Sequence, residues 1–227
     1  MANNVTFTKA LVAASATNIA ASQAAVAGTP LTLNGSAVVA GVAVLDTQRR
    51  VLITSTSATE TAVVTIFGTN QQGTAISETD TFSGSSTTLV SNLDFLTVTK
   101  IVPSGTIVGS LSAGTNTTGS SPWWSVNYQN SAPVNVSAGF QILSGTVTYQ
   151  VEYTLDDPNN LAAGVAFPFP SSVQAPAFIG GGAGTAAGTP VSATADGLLN
   201  FPMIAVRVTI TANTGTLRIR FVQSGIG

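Results

Sequence analysis

Short runs of Val, Ile, Phe, Tyr and Thr recur along the chain, separated by clusters of Gly, Ser, Asn and Pro. In Val147-Thr148-Tyr149-Gln150-Val151-Glu152-Tyr153 and in Leu217-Arg218-Ile219-Arg220-Phe221, apolar and polar residues alternate. A period of two sorts them onto opposite faces of an extended strand, so both segments read as half-buried strands. The same reading predicts strands at residues 5–8, 31–33, 51–55, 62–69, 77–82, 95–102 and 109–111, and then at 126–129, 140–144, 146–154, 203–211 and 216–223. Many short strands bounded by turn residues predict an all-β protein of sandwich or barrel type. Residues 11–26 are alanine-rich and permit a helix, but their Thr, Asn and Ser content fits an extended arm equally well.

Residues 113–122 carry Gly, Ser, Thr and Asn without apolar periodicity, directly before Trp123-Trp124, and read as a linker. The expected organisation is two β-sandwich domains in tandem, jelly-roll or Ig-like, with an N-terminal arm or short helix. The first covers residues 1–120 and the second residues 121–227. The halves share an order of strand, turn, long excursion and hairpin: residues 63–70 match 147–153, and 95–111 match 204–222. Duplication and two unrelated sandwiches both fit that order. The second half also carries a loop over residues 159–198, with Phe167-Pro168-Phe169-Pro170, Phe178 and a Gly/Ala run. Connections are usually about 4–6 residues, and a much longer one is expected to hold a function, here contact with another chain.

Composition narrows the chemistry. Only 7% of the 227 residues are charged, against roughly 25% in an average domain. Seven cations against nine acids give a net charge of −2 and cannot form the basic stripe that neutralises many phosphates, so no nucleic-acid partner is expected. The absence of His and Cys removes the usual general base near neutral pH, thiol nucleophiles, disulfides and nearly every zinc or iron site. Mean hydropathy of +0.39 invites a membrane reading. The apolar stretches 11–27 and 37–45 are interrupted by Ser15, Thr17, Asn18, Ser22 and Gln23, or are far shorter than the roughly 20 residues a spanning helix needs. The first has Ala25-Val26-Ala27 as a cleavage-like end, but no cation precedes Lys9, so a secretory leader is not expected.

Candidate sites are few. Asp156, Asp157 and Asn159 offer calcium-type oxygens but lack the alternating spacing of a calcium loop, and Pro158 makes a turn the better reading. Glu78 and Asp80 share a strand face and could be paired acids of a glycosidase, though solvated strand carboxylates explain them more simply. Adjacent Trp123 and Trp124 must point to opposite faces of a strand. One should enter the core, and the other should pack on Phe167 or Phe169, or lie against a sugar or a partner. Arg218 and Arg220 share a face, which Arg207 would join from a hairpin partner, and an arginine-lined face reads as a subunit contact. Gly180 to Thr185 lacks the Lys-Ser/Thr end of a phosphate loop. No catalysis, cofactor or metal is expected. Trp123, Trp124, Phe167, Phe169, Phe178, Arg218 and Arg220 are the interface candidates.

The segments Leu45-Asp46-Thr47-Gln48-Arg49-Arg50-Val51-Leu52-Ile53-Thr54-Ser55, Asp94-Phe95-Leu96-Thr97-Val98, Ser121-Pro122-Trp123 and Tyr149 through Pro158, with residues 64–73, resemble uncharacterised virion structural proteins of tailed bacteriophages. The resemblance covers most of the chain, and its motifs are structural. It implies a particle component made in the host cytoplasm: a capsid decoration protein, a head fibre or a tail accessory protein. The implied partners are copies of itself and other virion proteins, with a host-surface glycan as a further candidate and no membrane. An exported adhesin and a carbohydrate-binding module or depolymerase are the alternatives from other classes, because fold alone does not fix function.

Overall fold

The computed structural model describes residues 3–127, 136–155, 172–173, 190–199 and 203–223. These residues form antiparallel β-structure joined by turns, with no helix among them. In chain order the strands are β1 (Asn3–Ala10), β2 (Ser15–Ala24), β3 (Val38–Val39), β4 (Val42–Ser55), β5 (Val63–Thr69), β6 (Ala75–Thr81), β7 (Thr88–Ser104), β8 (Ser110–Ser120), β9 (Trp124–Ser125), β10 (Val136–Ser144), β11 (Val147–Thr154), β12 (Ser172–Val173), β13 (Ala195–Leu199), β14 (Ala205–Asn213) and β15 (Thr216–Gln223). The chain divides into two compact units. Among the described residues, the first comprises Ala13–Gly119, and the second residues 3–12 together with those from Ser120 onward.

In the first unit β8, β4, β7, β5 and β6 lie side by side, with β2 on β8 and β3 on β4. Long strands enclose its core by bending. β4 pairs with β7 at Ala43–Val98 and again at Arg49–Phe95, with a register shift between. The extra residues of such a bulge turn a strand and re-aim its side chains. Thr47, Gln48 and Arg49 are accordingly all buried, and Arg49 bonds to Asp46 Oδ1 at 3.0 Å and to the Asn116 carbonyl. Ile19, Val51, Ile53, Val64, Ile66, Phe95, Val98, Ile101 and Leu111 fill the interior.

In this unit the linker expectation fails, and the open choice between helix and extended arm resolves to an extended strand, for one reason. Residues 113–120 are not a linker but most of β8, and residues 15–24 are a strand, β2, paired with it. Strand pairing uses backbone groups, and small side chains are needed where backbones crowd. A Cβ on Gly114 would collide with the Ser15 carbonyl oxygen. Gly114→Ala is therefore expected to destabilise the first unit by about 2–3 kcal/mol through overpacking, read from urea unfolding followed by circular dichroism. The predicted strand at 31–33 is a loop, anchored by the Leu31 N–H on the Ile101 carbonyl at 2.9 Å.

The second unit is a β-sandwich. One sheet has the order β1-β15-β10-β13, and the other places β12, β11, β14 and β9 side by side. Val136, Phe140, Leu217, Ile219 and Phe221 from the first sheet meet Val147, Tyr149, Val151, Val206, Val208 and Ile210 from the second. The Phe140 and Tyr149 rings stack between the layers at 4.8 Å. β1 belongs here, paired with β15 from Asn3–Gln223 to Ala10–Thr216, and not with the half that follows it in sequence. Phe7 on β1 packs against this core, which holds the segment. β14 and β15 are not the expected hairpin, since they lie in opposite sheets. The short turn between them is a corner, as is the turn from β10 to β11. β13 begins inside the predicted 159–198 insertion, at Ala195, and extends the first sheet through its pairing with β10.

Candidate functional site

The alternation in residues 217–221 sends Leu217, Ile219 and Phe221 into the sandwich and leaves Arg218 and Arg220 on the outer face of β15. Register then fixes what surrounds them. Arg220 lies between Thr6 on β1 and Gly139 on β10, and Gly139 lies opposite Asp196 on β13. One row thus reads Thr6, Arg220, Gly139, Asp196. The adjacent row places Arg218 between Thr8 and Gln141, with Arg218 Nη1 3.5 Å from Gln141 Oε1. Gly139 supplies no side chain to the third position of the first row, and a Cβ there would stand 3.1 Å from Asp196 Oδ1.

The missing side chain leaves two adjoining depressions. One, of about 260 Å³, is walled by Gln141, Thr194, Asp196, Arg218 and Arg220. The other, of about 350 Å³, shares Arg220, Gly139 and Asp196 but is floored by Ala138, Leu198 and Val222. The Thr194 hydroxyl accepts the Ile142 N–H at 3.1 Å, which secures the chain leading into β13 against β10. A polar hollow therefore adjoins an apolar shelf, with cationic groups on one wall and a carboxylate on the other.

Arg207 does not join this face, because β14 belongs to the opposite sheet. Its Nε donates to Glu152 Oε2 at 2.7 Å, and its guanidinium lies 4.7 Å above the Trp123 ring. Trp124, on β9, packs 4.9 Å from Phe221 and 6.1 Å from Phe7. The two tryptophans thus find partners within the unit. Phe167, Phe169 and Phe178, the calcium candidates Asp156, Asp157 and Asn159, and the glycine run at 180–185 lie outside the described residues.

The acids of the first unit are held by the fold. Glu78 accepts the Asn92 N–H at 2.7 Å, the Asn92 side-chain amide at 3.0 Å and the Leu93 N–H at 2.8 Å, fastening β6 to β7. Asp80 shares its face, and burial together with the hydrogen bond and charge of Glu78 pushes its carboxyl up to about 6 from an ordinary 3.8. A raised acid stabilises the fold when protonated, and that contribution is lost as pH rises through 6. Asp80→Asn is expected to raise the thermal midpoint at pH 7 and leave it nearly unchanged at pH 4, so the gap from the parent opens across that interval.

Sequence reasoning passed over three residues. Gly139 and Asp196 gain meaning only through the β10–β13 register. Glu60 is fully buried and gathers hydrogen bonds from Ser55, Thr61, Ala62, Val108 and Gly109. The Ser and Thr clustered around it were the available sign. No family model matches the chain, and no curated protein matches it.

Proposed function

We propose that this chain is a non-catalytic structural component of a bacteriophage particle, a capsid decoration or head-fibre protein that binds copies of itself and other virion subunits. The observation that carries the reading is the character of the sheet edges. β1 and β13 border one sheet of the second unit and β6 ends the sheet of the first. Together they carry one lysine, Lys9, and three carboxylates, Glu78, Asp80 and Asp196, of which Glu78 is bound to Asn92 and Leu93. Exposed edges normally carry charge, lysine above all, to block pairing with other chains. Edges this short of lysine are safe where a neighbouring subunit covers them.

The β3–β4 finger adds apolar area of the same kind, with Val39 66% and Val44 51% exposed beside a turn whose Ala40 takes a positive φ of 51°. The phage resemblance supplies the setting, and the carboxylates tied up by Asn92, Arg207 and the Glu60 loop favour a structural use of the acids. Light scattering after size exclusion, with localisation of the chain in purified particles by electron cryomicroscopy, tests the reading. A symmetric oligomer present in particles is expected, and a trimer is the first candidate from the resemblance. A stable monomer at micromolar concentration, with particles lacking the chain, would sink it.

A further inference from the structure

We propose that the paired depressions over Gly139 form a binding site for an acidic saccharide, whose carboxylate is held by Arg220 and Arg218 and whose hydroxyls donate to Asp196. The argument begins with how scarce cations are placed. Arg49, Arg50 and Arg207 face carboxylates at 3.0, 3.9 and 2.7 Å, and Lys100 lies over the Phe67 ring. Arg220 makes no hydrogen bond or ion pair among the described residues, and Arg218 has only the long contact to Gln141. Two guanidinium groups therefore stand at alternate positions of one strand with their donors unspent. Their forked geometry matches a carboxylate in two-point contact.

The opposite wall decides what else the ligand must carry. Asp196 is acceptor-only when ionised and lies across an empty glycine position from Arg220. A bare phosphate or sulfate would satisfy the arginines but bring Asp196 no row of hydroxyl donors. A nucleic acid needs more cations than two to bind its backbone. A wholly apolar ligand would leave the polar hollow unsatisfied. A sugar acid meets each requirement at once: carboxylate toward Arg220, hydroxyls toward Asp196 and Thr194, and the C–H face of an adjoining ring over Leu198 and Val222. The volumes of about 260 and 350 Å³ meet at Gly139, which suits consecutive rings more than a single small anion. The site differs from the tryptophan platform that a carbohydrate-binding module would use, since Trp124 packs on Phe7 and Phe221.

Calorimetric titration of the full chain with glucuronate, galacturonate and sialyl oligosaccharides tests the assignment, alongside their methyl esters and inorganic phosphate. Saturable binding to at least one acidic saccharide is expected. It should weaken tenfold or more on esterification, on Arg220→Gln, on Asp196→Asn and on Gly139→Ser. Circular dichroism of each variant checks that the fold survives, and the exposed Arg220 and Asp196 changes serve if Gly139→Ser does not fold. Three results would overturn the proposal: no saturable binding of any acidic saccharide at millimolar concentration, affinity indifferent to Arg220→Gln and Asp196→Asn, or phosphate competing with equal strength. None of these bears on whether the chain is found in particles, so this inference and the structural role stand or fall separately.

Discussion

Glu60→Ala is expected to cost the first unit about 3–5 kcal/mol, because it strips the acceptor from a set of buried donors at once. Glu60 Oε2 takes the Ser55 hydroxyl at 2.9 Å and the Gly109 N–H at 2.9 Å, while Oε1 takes the Thr61 and Ala62 N–H groups at 3.1 Å. Both oxygens also share the Val108 N–H at 3.2 Å. Two loops distant in sequence are clasped by one side chain. Glu60→Gln keeps the shape but turns an amide N–H₂ toward donors, so it should recover only part of the loss. Burial by itself would raise this carboxyl, yet the N–H groups of Gly109, Val108 and Ala62 and the Ser55 hydroxyl outweigh it and hold the value below the usual 4.5. A depressed acid stabilises above its ordinary value, and that stability is lost as pH falls through the folded one. Urea unfolding at pH 7 and pH 3 should show the parent losing more stability on acidification than Glu60→Gln does.

Removing one member of the Arg207–Glu152 pair should cost the second unit about 3–5 kcal/mol, the usual penalty for stranding a buried charge. The side chains are only 11% and 9% exposed and meet at 2.7 Å. Arg207→Met alone leaves the Glu152 carboxylate without its cation and Trp123 without the guanidinium above its ring. Replacing both, Arg207→Met with Glu152→Leu, should recover most of the loss, because apolar pairs often match buried ion pairs in stability. A double-mutant cycle in urea, with tryptophan fluorescence reporting on Trp123 and Trp124, reads the coupling directly. A double replacement that costs the sum of the two single replacements would show that the pair contributes little beyond packing.

The alternating strands were legible because burial on one face writes itself into the sequence, as β11 and β15 show. β8 was hidden because a strand pinned between close backbones needs Gly114, Ala113 and Ser112 rather than large apolar residues, which makes it resemble a linker. β13 escaped because five residues beginning Ala-Asp-Gly carry little periodicity, and the pairing with β10 defines it. Hairpins and sheet-to-sheet corners have turns of the same length, so the route from β14 to β15 could not be read locally, and with it went the expectation that Arg207 joins Arg218 and Arg220. The arginine face itself was visible from the spacing of two. Its glycine floor and opposing carboxylate were not, since they come from strands distant in sequence.

The two corners of the second unit also interlock. The Thr214 N–H donates to the Thr146 carbonyl at 2.9 Å, and the Ser144 hydroxyl donates to Thr216 Oγ1 at 3.2 Å. Gly145, at a φ of 61°, and Gly215 lie so close to the opposite turn that neither has room for a Cβ. Neither turn joins strands that pair with each other, so neither can start a hairpin while the rest of the chain is unfolded. A nucleus built on these corners must instead bring together turns about seventy residues apart, a loop closure whose entropy has to be met before the ladders of the second unit form. Slower folding of the second unit is the expected consequence, with its strand edges exposed for longer than in a meander of the same size. For a chain short of lysine, that interval is when aggregation threatens most, and prompt association with neighbouring subunits would end it.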